Sequence, residues 1–271
     1  MSKKEQAFVD TVWAFYEKLG RHDLPWRHTH DPYSILVSEL MLQQTQVERV
    51  IPKYLAFTKT WPTAKALSKA SLADVLIAWQ GLGYNRRAKF LHQCAITITK
   101  EYGGEFPVTR QELEKLPGIG PYTAGALMAF AFNQPVVLIE TNVRRVYLHH
   151  FFPAKDQVLD TEIFPYLKRT LSKDNSRDWY SALMDYGTYL KKNGPNPNQR
   201  SAHYQKQSAF KGSDREIRGA ILKVLAGSPV KKKQLYTTLG QFEIERVSTQ
   251  AGSLLAEGLI EYRNTTYQLK S

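Results

Sequence analysis

Apolar residues in the first two hundred positions recur at helical spacing, and the pattern predicts helices joined by short turns. Phe8, Val12, Phe15 and Leu19 stand at i, i+4, i+7 and i+11, the stripe of an amphipathic helix, which the segment DLPW at 23–26 ends. A mostly apolar run occupies 34–54, unbroken until Pro52, and 66–79 and 86–102 read as two further helices. Gly103 and Gly104 close the last of these. Thr109 and Glu112 have capping-box spacing for a short helix that runs into LPGIG at 116–120, and a new helix opens at 122–132.

The pattern changes after residue 190. KKNGPNPNQR at 191–200 reads as a polar loop, and Lys211-Gly212 as a linker. Ser213 to Glu216 has capping-box spacing, and Ile217, Ile221, Val224 and Leu225 follow at helical intervals. A short helix at 232–239 ends at Gly240, and another at 244–257 places Val247, Ala251, Leu254 and Leu255 on one face before Gly258. IEYRN at 260–264 and TTYQL at 265–269 then read as a hairpin. Three helices and a hairpin resemble a winged helix, so the chain is expected to divide at 1–210 and 213–271.

Composition narrows the partner. The 271 residues carry 37 Lys and Arg against 25 acidic residues, a formal charge of +12 that favours a polyanion, nucleic acid ahead of a membrane surface. No run approaches the length of a membrane span, and the start MSKKEQAFVDTVWAF lacks the features of a signal peptide, so a soluble, non-secreted, cytoplasmic protein is expected. Cys94, the single cysteine, excludes internal disulfides and any all-cysteine metal site and is itself expected in the core.

Three features carry chemistry. Gly118 and Gly120 flank one apolar residue just before a helix, so bare backbone N–H groups could approach a phosphate with help from the helix N-terminus. An ordinary helix-ending turn would read the same way. Glu39 lies in ILVSELMLQQ among apolar neighbours, and burial would keep its carboxyl protonated, as a general acid requires. A helix-surface glutamate beside Ser38 is the alternative. Glu140 ends the apolar run PVVLIE, as either a solvated terminus or a second carboxylate.

LPGIGPYTAGAL at 116–127, together with PWR at 25–27, SELMLQQTQV at 38–47, GLGYNRRA at 81–88 and TNVRRV at 141–146, resembles the helix-hairpin-helix DNA glycosylase superfamily, in particular its MutY-type adenine glycosylases. The resemblance spans roughly residues 24–187. It implies a mainly α, two-lobed fold: a six-helix lobe about 26–135, and a second lobe from 1–25 plus 136–210, ahead of the small α+β winged-helix-like domain. It also implies a monofunctional glycosylase of base excision repair that acts on mispaired adenine in duplex DNA, as a monomer associated with the nucleoid. Glu39 would protonate the departing purine, while Glu140, where the family's pattern has aspartate, and Asn142 would serve the sugar. Tyr122 stands where bifunctional relatives carry a nucleophilic lysine, which argues against efficient strand cleavage. Trp26 and Arg27 would line the pocket, Gln44 would wedge into the base stack with Gln43 beside it, and Tyr84 would pack near the opposite base. Gly118, Gly120, Thr123, Arg86, Arg87, Arg144 and Arg145 would meet the DNA backbone.

Two family features are missing. At the spacing of the family's four cluster cysteines stand Lys191, Asn198, Ser201 and Gln207, so no iron–sulfur cluster and no required cofactor are expected; the resemblance leaves room only for a monovalent cation at the hairpin. Hydrogen bonds and packing of His203, Tyr204 and Phe210 would hold that loop instead, and Lys191, Lys192 and Arg200 could keep its phosphate-facing role. The larger domain with which the family examines 8-oxoguanine is replaced by some sixty residues, whose Lys231, Lys232, Lys233 and Arg246 could add DNA affinity or line a protein-docking face. Removal of T, U or hypoxanthine from mismatches is the near alternative; a non-catalytic DNA-binding protein is the distant one.

Overall fold

The computed structural model describes every residue except Gln207 and Ser208. Helices dominate, in the order α1 (Lys3–Leu19), α2 (Pro32–Leu42), α3 (Val47–Thr60), α4 (Ala64–Leu67), α5 (Leu72–Ala78), α6 (Arg86–Glu101), α7 (Arg110–Lys115), α8 (Pro121–Phe130), α9 (Thr141–Phe151), α10 (Asp160–Thr170), α11 (Ser176–Lys192) and α12 (Asp214–Gly227). The chain ends with β1 (Val230–Lys231), α13 (Lys232–Thr238), α14 (Ile244–Ala256), β2 (Ile260–Arg263) and β3 (Thr266–Leu269). Two compact units are formed, one from Met1–Ile35, Pro107–Lys115 and Ile119–Lys206, the other from Leu36–Phe106, Leu116–Gly118 and Gln207–Ser271. Among the described residues no helix is long and apolar enough to cross a membrane.

The first unit packs α1, α9, α10 and α11 around an aromatic centre. Phe8 meets Tyr147 at 5.0 Å and stands edge-on to Trp179 at 6.0 Å between ring centroids. Tyr147, Trp179 and Tyr180 are fully buried, and each ring of that kind contributes about 2–3 kcal/mol by leaving water. The buried face of α1 carries Phe8, Val12 and Tyr16, while Leu19, at the end of the expected stripe, is 60% exposed. The stripe therefore rotates by one position in its last turn, and Tyr16 takes the inward place.

In the second unit α4 and α5 pack on α6, and α12 packs on both α5 and α14. The strands form one antiparallel sheet ordered β1-β3-β2, with Tyr262 opposite Tyr267. Asn264 and Thr265 both take positive φ, which suits a two-residue hairpin turn matching the twist of its strands. The C-terminal segment thus has three helices and a small sheet, as the pattern predicted, with β1 as an additional strand.

Three local expectations change. The apolar run 34–54 is two helices, because Gln44 at φ +55° ends α2, and α3 carries Pro52 inside it, on an exposed position. The helix expected over 66–79 is likewise two, and Ser71 caps the second by accepting from the Asp74 N–H. At Ser213 the expected capping box is not made: its hydroxyl donates to the Phe210 carbonyl, and the Glu216 carboxylate accepts from Gly212 N–H.

Candidate active site

The hairpin follows from local chemistry. Gly118 sits at φ +76°, and a Cβ there would meet Phe90 at 2.4 Å, so both backbone angle and packing demand glycine. Gly120 is the N-cap of α8 with Pro121 at the first helical position, and a Cβ on Gly120 would meet nothing within 4 Å. Leu116 and Ile119 are buried and anchor the loop from below. The open face at Gly120 thus adjoins the positive end of a helix, the setting in which backbone N–H groups bind a phosphate oxygen. Thr123 is 3% exposed and faces inward rather than onto that surface.

Glu39 lies on α2 in the second unit and is buried, 8% exposed, next to a Ser38 that is 1% exposed. Of the two readings open in the sequence, the buried one holds. Just beyond α2, Gln44 and Tyr84 both adopt left-handed backbone, and the Tyr84 hydroxyl donates to Gln44 Oε1 at 2.5 Å. Arg87 fixes this pair of turns. Its guanidinium donates to the carbonyls of Leu40 (2.5 Å), Gln43 (2.6 Å), Gly83 (2.9 Å) and Leu82 (3.1 Å), and stacks over the rings of Trp79 and Tyr84. Burial lowers its pKa to about 10. Arg87 thus works inward, whereas its neighbour Arg86 is exposed over Phe90.

Glu140, Asn142 and Tyr122 belong to the first unit. Tyr122 opens α8 and is half-buried. The stretch before Glu140 is pinned by Tyr180, whose hydroxyl accepts from Leu138 N–H (2.9 Å) and donates to the Val136 carbonyl (2.6 Å). Glu140 is the N-cap of α9: Oε1 accepts from the N–H groups of Asn142 (2.6 Å) and Val143 (2.7 Å). Aspartate is the common residue for that task, and glutamate performs it here. Burial pushes the Glu140 carboxyl above its ordinary pKa, opposed by the Val143 and Asn142 N–H groups and by Arg145 and Arg144. Arg145, itself buried, donates to Asn142 Oδ1 (2.6 Å), the Gly187 carbonyl (2.8 Å) and Asn196 Oδ1 (3.1 Å). A Cβ at Gly187 would stand 2.4 Å from the Asn142 carbonyl oxygen, so the close approach of α9 and α11 that places Asn142 requires glycine.

Other expected site residues have structural duties. Arg27 forms a two-pronged ion pair with Asp185 (2.6 and 2.9 Å), to which Arg21 also donates. The Trp26 carbonyl accepts from Arg177, which gathers the carbonyls of Arg27 and Thr29 as well. Arg144 makes a two-pronged pair with Asp160 at 2.6 and 2.7 Å, and Arg246 pairs with Asp214 at 2.6 Å. Lys231, Lys232 and Lys233 are exposed. Tyr180 and Gly187 escaped the sequence reading, and Arg145, expected at the DNA backbone, is buried and holds Asn142 instead.

The loop after α11 is held differently from expectation. Tyr204 and Phe210 are 41% and 57% exposed and His203 is exposed, so they do not pack it. Instead the buried Asn198 donates to the Thr141 carbonyl (2.8 Å), Arg200 to that of Leu148 (3.0 Å), and Val158 pairs with the backbone on both sides of Ser201. Lys191, Asn198 and Ser201 offer an ammonium, an amide and a hydroxyl, which do not fit a four-iron cluster; Gln207 lies outside the described residues. Among the described residues no three His, Cys, Asp or Glu are grouped to hold a metal ion, and Cys94 is buried, its thiol pushed up to about 12.

Residues 37–165 match the HhH-GPD superfamily base excision DNA repair protein model, and an adenine DNA glycosylase of Mycolicibacterium smegmatis is 39% identical over 89% of this chain and 89% of its own. The chain belongs to the HhH-GPD superfamily. A solved thermostable thymine-DNA glycosylase superposes with a TM-score of 0.61 at 27% identity, covering 70% of this chain and 88% of that one. A non-covalent endonuclease III–DNA complex gives 0.59 at 20% identity over 74% and 97%, and so shows the shared superfamily fold. The helix-hairpin-helix from which the superfamily takes its name corresponds here to α7, LPGIG and α8.

Proposed function

We propose that this protein is a DNA glycosylase that hydrolyses the N-glycosidic bond of a mispaired adenine in duplex DNA and leaves the strand intact. The observation that carries this reading is the 39% identity to an adenine glycosylase along 89% of both chains. It is supported by Glu39 lying buried on α2, a carboxyl of the kind a general acid requires. The hairpin at Gly120, with exposed Arg86, holds the phosphates, and Gln44 fills the gap left by the extruded base. Glu39 gives its proton to the purine; the C1′–N9 electrons leave with the base, and the positive charge on the sugar is stabilised by the Glu140 carboxylate. Water adds at C1′ and returns a proton to Glu39, so that free adenine and an abasic site are the products. Tyr122 offers no amine for a Schiff base, and borohydride is expected to trap no efficient covalent adduct.

Glu140 in place of aspartate, together with the likeness to a thymine-DNA glycosylase, favours a second reading: removal of T, U or hypoxanthine from mismatches. Duplexes carrying A:8-oxoguanine, A:G, T:G, U:G and hypoxanthine pairs, cleaved with alkali after reaction, separate the two. Excision of adenine is expected. Excision of T or U with adenine left intact would replace the first reading by the second, and no product from any duplex would favour a non-catalytic binder.

Glu140→Gln separates the charge from the cap. Glutamine keeps an oxygen for the Asn142 and Val143 N–H groups but cannot stabilise a sugar cation, so excision should fall by about a hundredfold or more while thermal stability changes by less than about 1 kcal/mol. The sign of the stability change follows from the raised pKa. Ionising Glu140 costs stability as pH rises through the folded value, and glutamine carries no such cost. The acid limb of the excision rate, which needs the ionised form, is expected above the ordinary glutamate value of 4.5 and absent from the glutamine variant. Rate–pH profiles of both proteins and their melting curves check this.

A further inference from the structure

The C-terminal segment of the second unit divides its charge between two surfaces. In the sheet β1-β3-β2, Lys231 stands opposite Thr266, and Thr266 opposite Arg263. Directly opposed residues share a face of an antiparallel sheet, so these three form one row, with Lys231 and Arg263 about 10 Å apart across two strand spacings. The next row, Val230, Tyr267 and Tyr262, faces the other way, and its first two residues are buried. Glu261 and Gln268 lie on the face of Lys231 and Arg263, and the Glu261 carboxylate is already engaged: it accepts from Gln268 Nε2 (2.6 Å) and Lys270 Nζ (3.0 Å) and pairs with Arg263 at 3.2 Å. Lys232 and Lys233 follow Lys231 at the start of α13, and Lys231, Lys232, Lys233 and Arg263 are all exposed. Acidic charge collects elsewhere, at the start of α14, where Glu243 and Glu245 are exposed on either side of an exposed Ile244, and Arg246 is held by Asp214 at 2.6 Å.

Resting on the reading above only in that the protein acts on duplex DNA, we propose that the row of Lys231, Thr266 and Arg263, with the lysines that open α13, is a second anchor for the DNA phosphate backbone. It is built from residues other than the hairpin and reads no sequence. The distribution of charge decides how the segment meets DNA. In a helix-turn-helix the second helix enters the major groove and sets its N-terminal residues on the bases. Here that helix is α14, and Glu243 and Glu245 at its start repel a phosphate backbone and keep it out of the groove. The sheet face and the start of α13 carry the opposite sign, so the duplex lies against them. Ammonium and guanidinium groups offer donors only, which suits phosphate oxygens and specifies no base. Charge complementarity also favours DNA over a protein partner. The cores of protein interfaces are depleted in lysine and built around aromatic anchors, whereas this row is cationic and Tyr262 belongs to the other face. A duplex presents one negative charge per roughly 1.7 Å of its axis, enough to meet every cation of the row.

The test measures binding of the full-length protein to undamaged duplexes of two unrelated sequences over a range of salt concentrations. One variant combines Lys231→Ala, Lys233→Ala and Arg263→Ala. A control variant combines Lys59→Ala, Lys65→Ala and Lys69→Ala, which removes the same charge from exposed positions elsewhere in the second unit. The first variant is expected to bind both duplexes about three- to thirtyfold more weakly, with a salt slope shallower by between about one and three, the signature of lost phosphate contacts. The control should stay within about twofold of the parent. A charge-preserving variant, with Lys231→Arg, Lys233→Arg and Arg263→Lys, should bind as the parent does, and melting curves confirm that each variant is folded. Equal losses in the first variant and the control overturn the proposal, because net charge alone would then set the affinity. Unchanged affinity in the first variant also overturns it and leaves the face to an acidic protein partner, and a loss confined to one of the two sequences overturns the claim that no sequence is read. A parent that binds no duplex at all defeats the reading on which this rests, and the anchor with it; a parent that binds, with a first variant that binds equally well, defeats the anchor alone.

Discussion

Glu39→Gln is expected to reduce single-turnover excision by about 10²–10⁴-fold, the contribution of a positioned general acid, while duplex binding changes by less than about threefold. The substitution is nearly isosteric, so α2 and its buried Ser38 should keep their packing. A glutamine amide can hydrogen-bond a purine nitrogen but cannot transfer a proton to it. Because Glu39 is buried among apolar neighbours, replacing it alters little of the surface charge that governs phosphate affinity. Gel-shift binding alongside quenched single-turnover assays would decide the matter. Excision within tenfold of the parent would remove Glu39 from the role of acid.

Arg87→Met should destabilise the protein by about 3 kcal/mol or more, seen as a fall in Tm of roughly 6–12 °C. The guanidinium is the common donor for carbonyls of Leu40, Gln43, Leu82 and Gly83, and a thioether leaves them without it in a buried setting. The loss is local as well as global, since these carbonyls flank Gln44 and Tyr84. KM for duplex substrate is therefore expected to rise even at temperatures where the variant is folded. Arg87→Lys should recover only part of the stability, because one ammonium cannot span the set. The adjacent Arg86→Ala gives the contrast: stability within about 0.5 kcal/mol of the parent, with a weaker DNA affinity whose salt slope is shallower by about one. Equal effects of the two substitutions on Tm would contradict the inward role of Arg87.

The second prediction places function on turns rather than on regular elements. Gln44 and Tyr84 stand in left-handed backbone, and Gly118 combines a positive φ with contact against Phe90. Such conformations persist only where surrounding contacts impose them. In the first unit the same role falls to Tyr180, which pins 136–138, and to Arg145 and Gly187, which set Asn142.

Much of this was legible in the sequence because it depends on near neighbours in the chain. Helical spacing predicted α1, α6 and α8, the glycines of LPGIG marked the hairpin, and apolar flanks gave the burial of Glu39. The superfamily was equally legible, since its motifs are short and contiguous. What only the tertiary structure decided was the duty of each polar side chain. Arg86 and Arg87 are adjacent and chemically identical, yet one faces solvent and the other organises carbonyls more than forty positions earlier. Arg27 and Arg144 read as ligands for DNA, and each closes on a carboxylate that no local pattern could pair with it. Arg215 shares no motif with Tyr84 and meets it 131 positions away. Local sequence sets backbone propensity and burial; the acceptor that a long charged side chain reaches depends on which distant segments the fold brings within hydrogen-bonding distance.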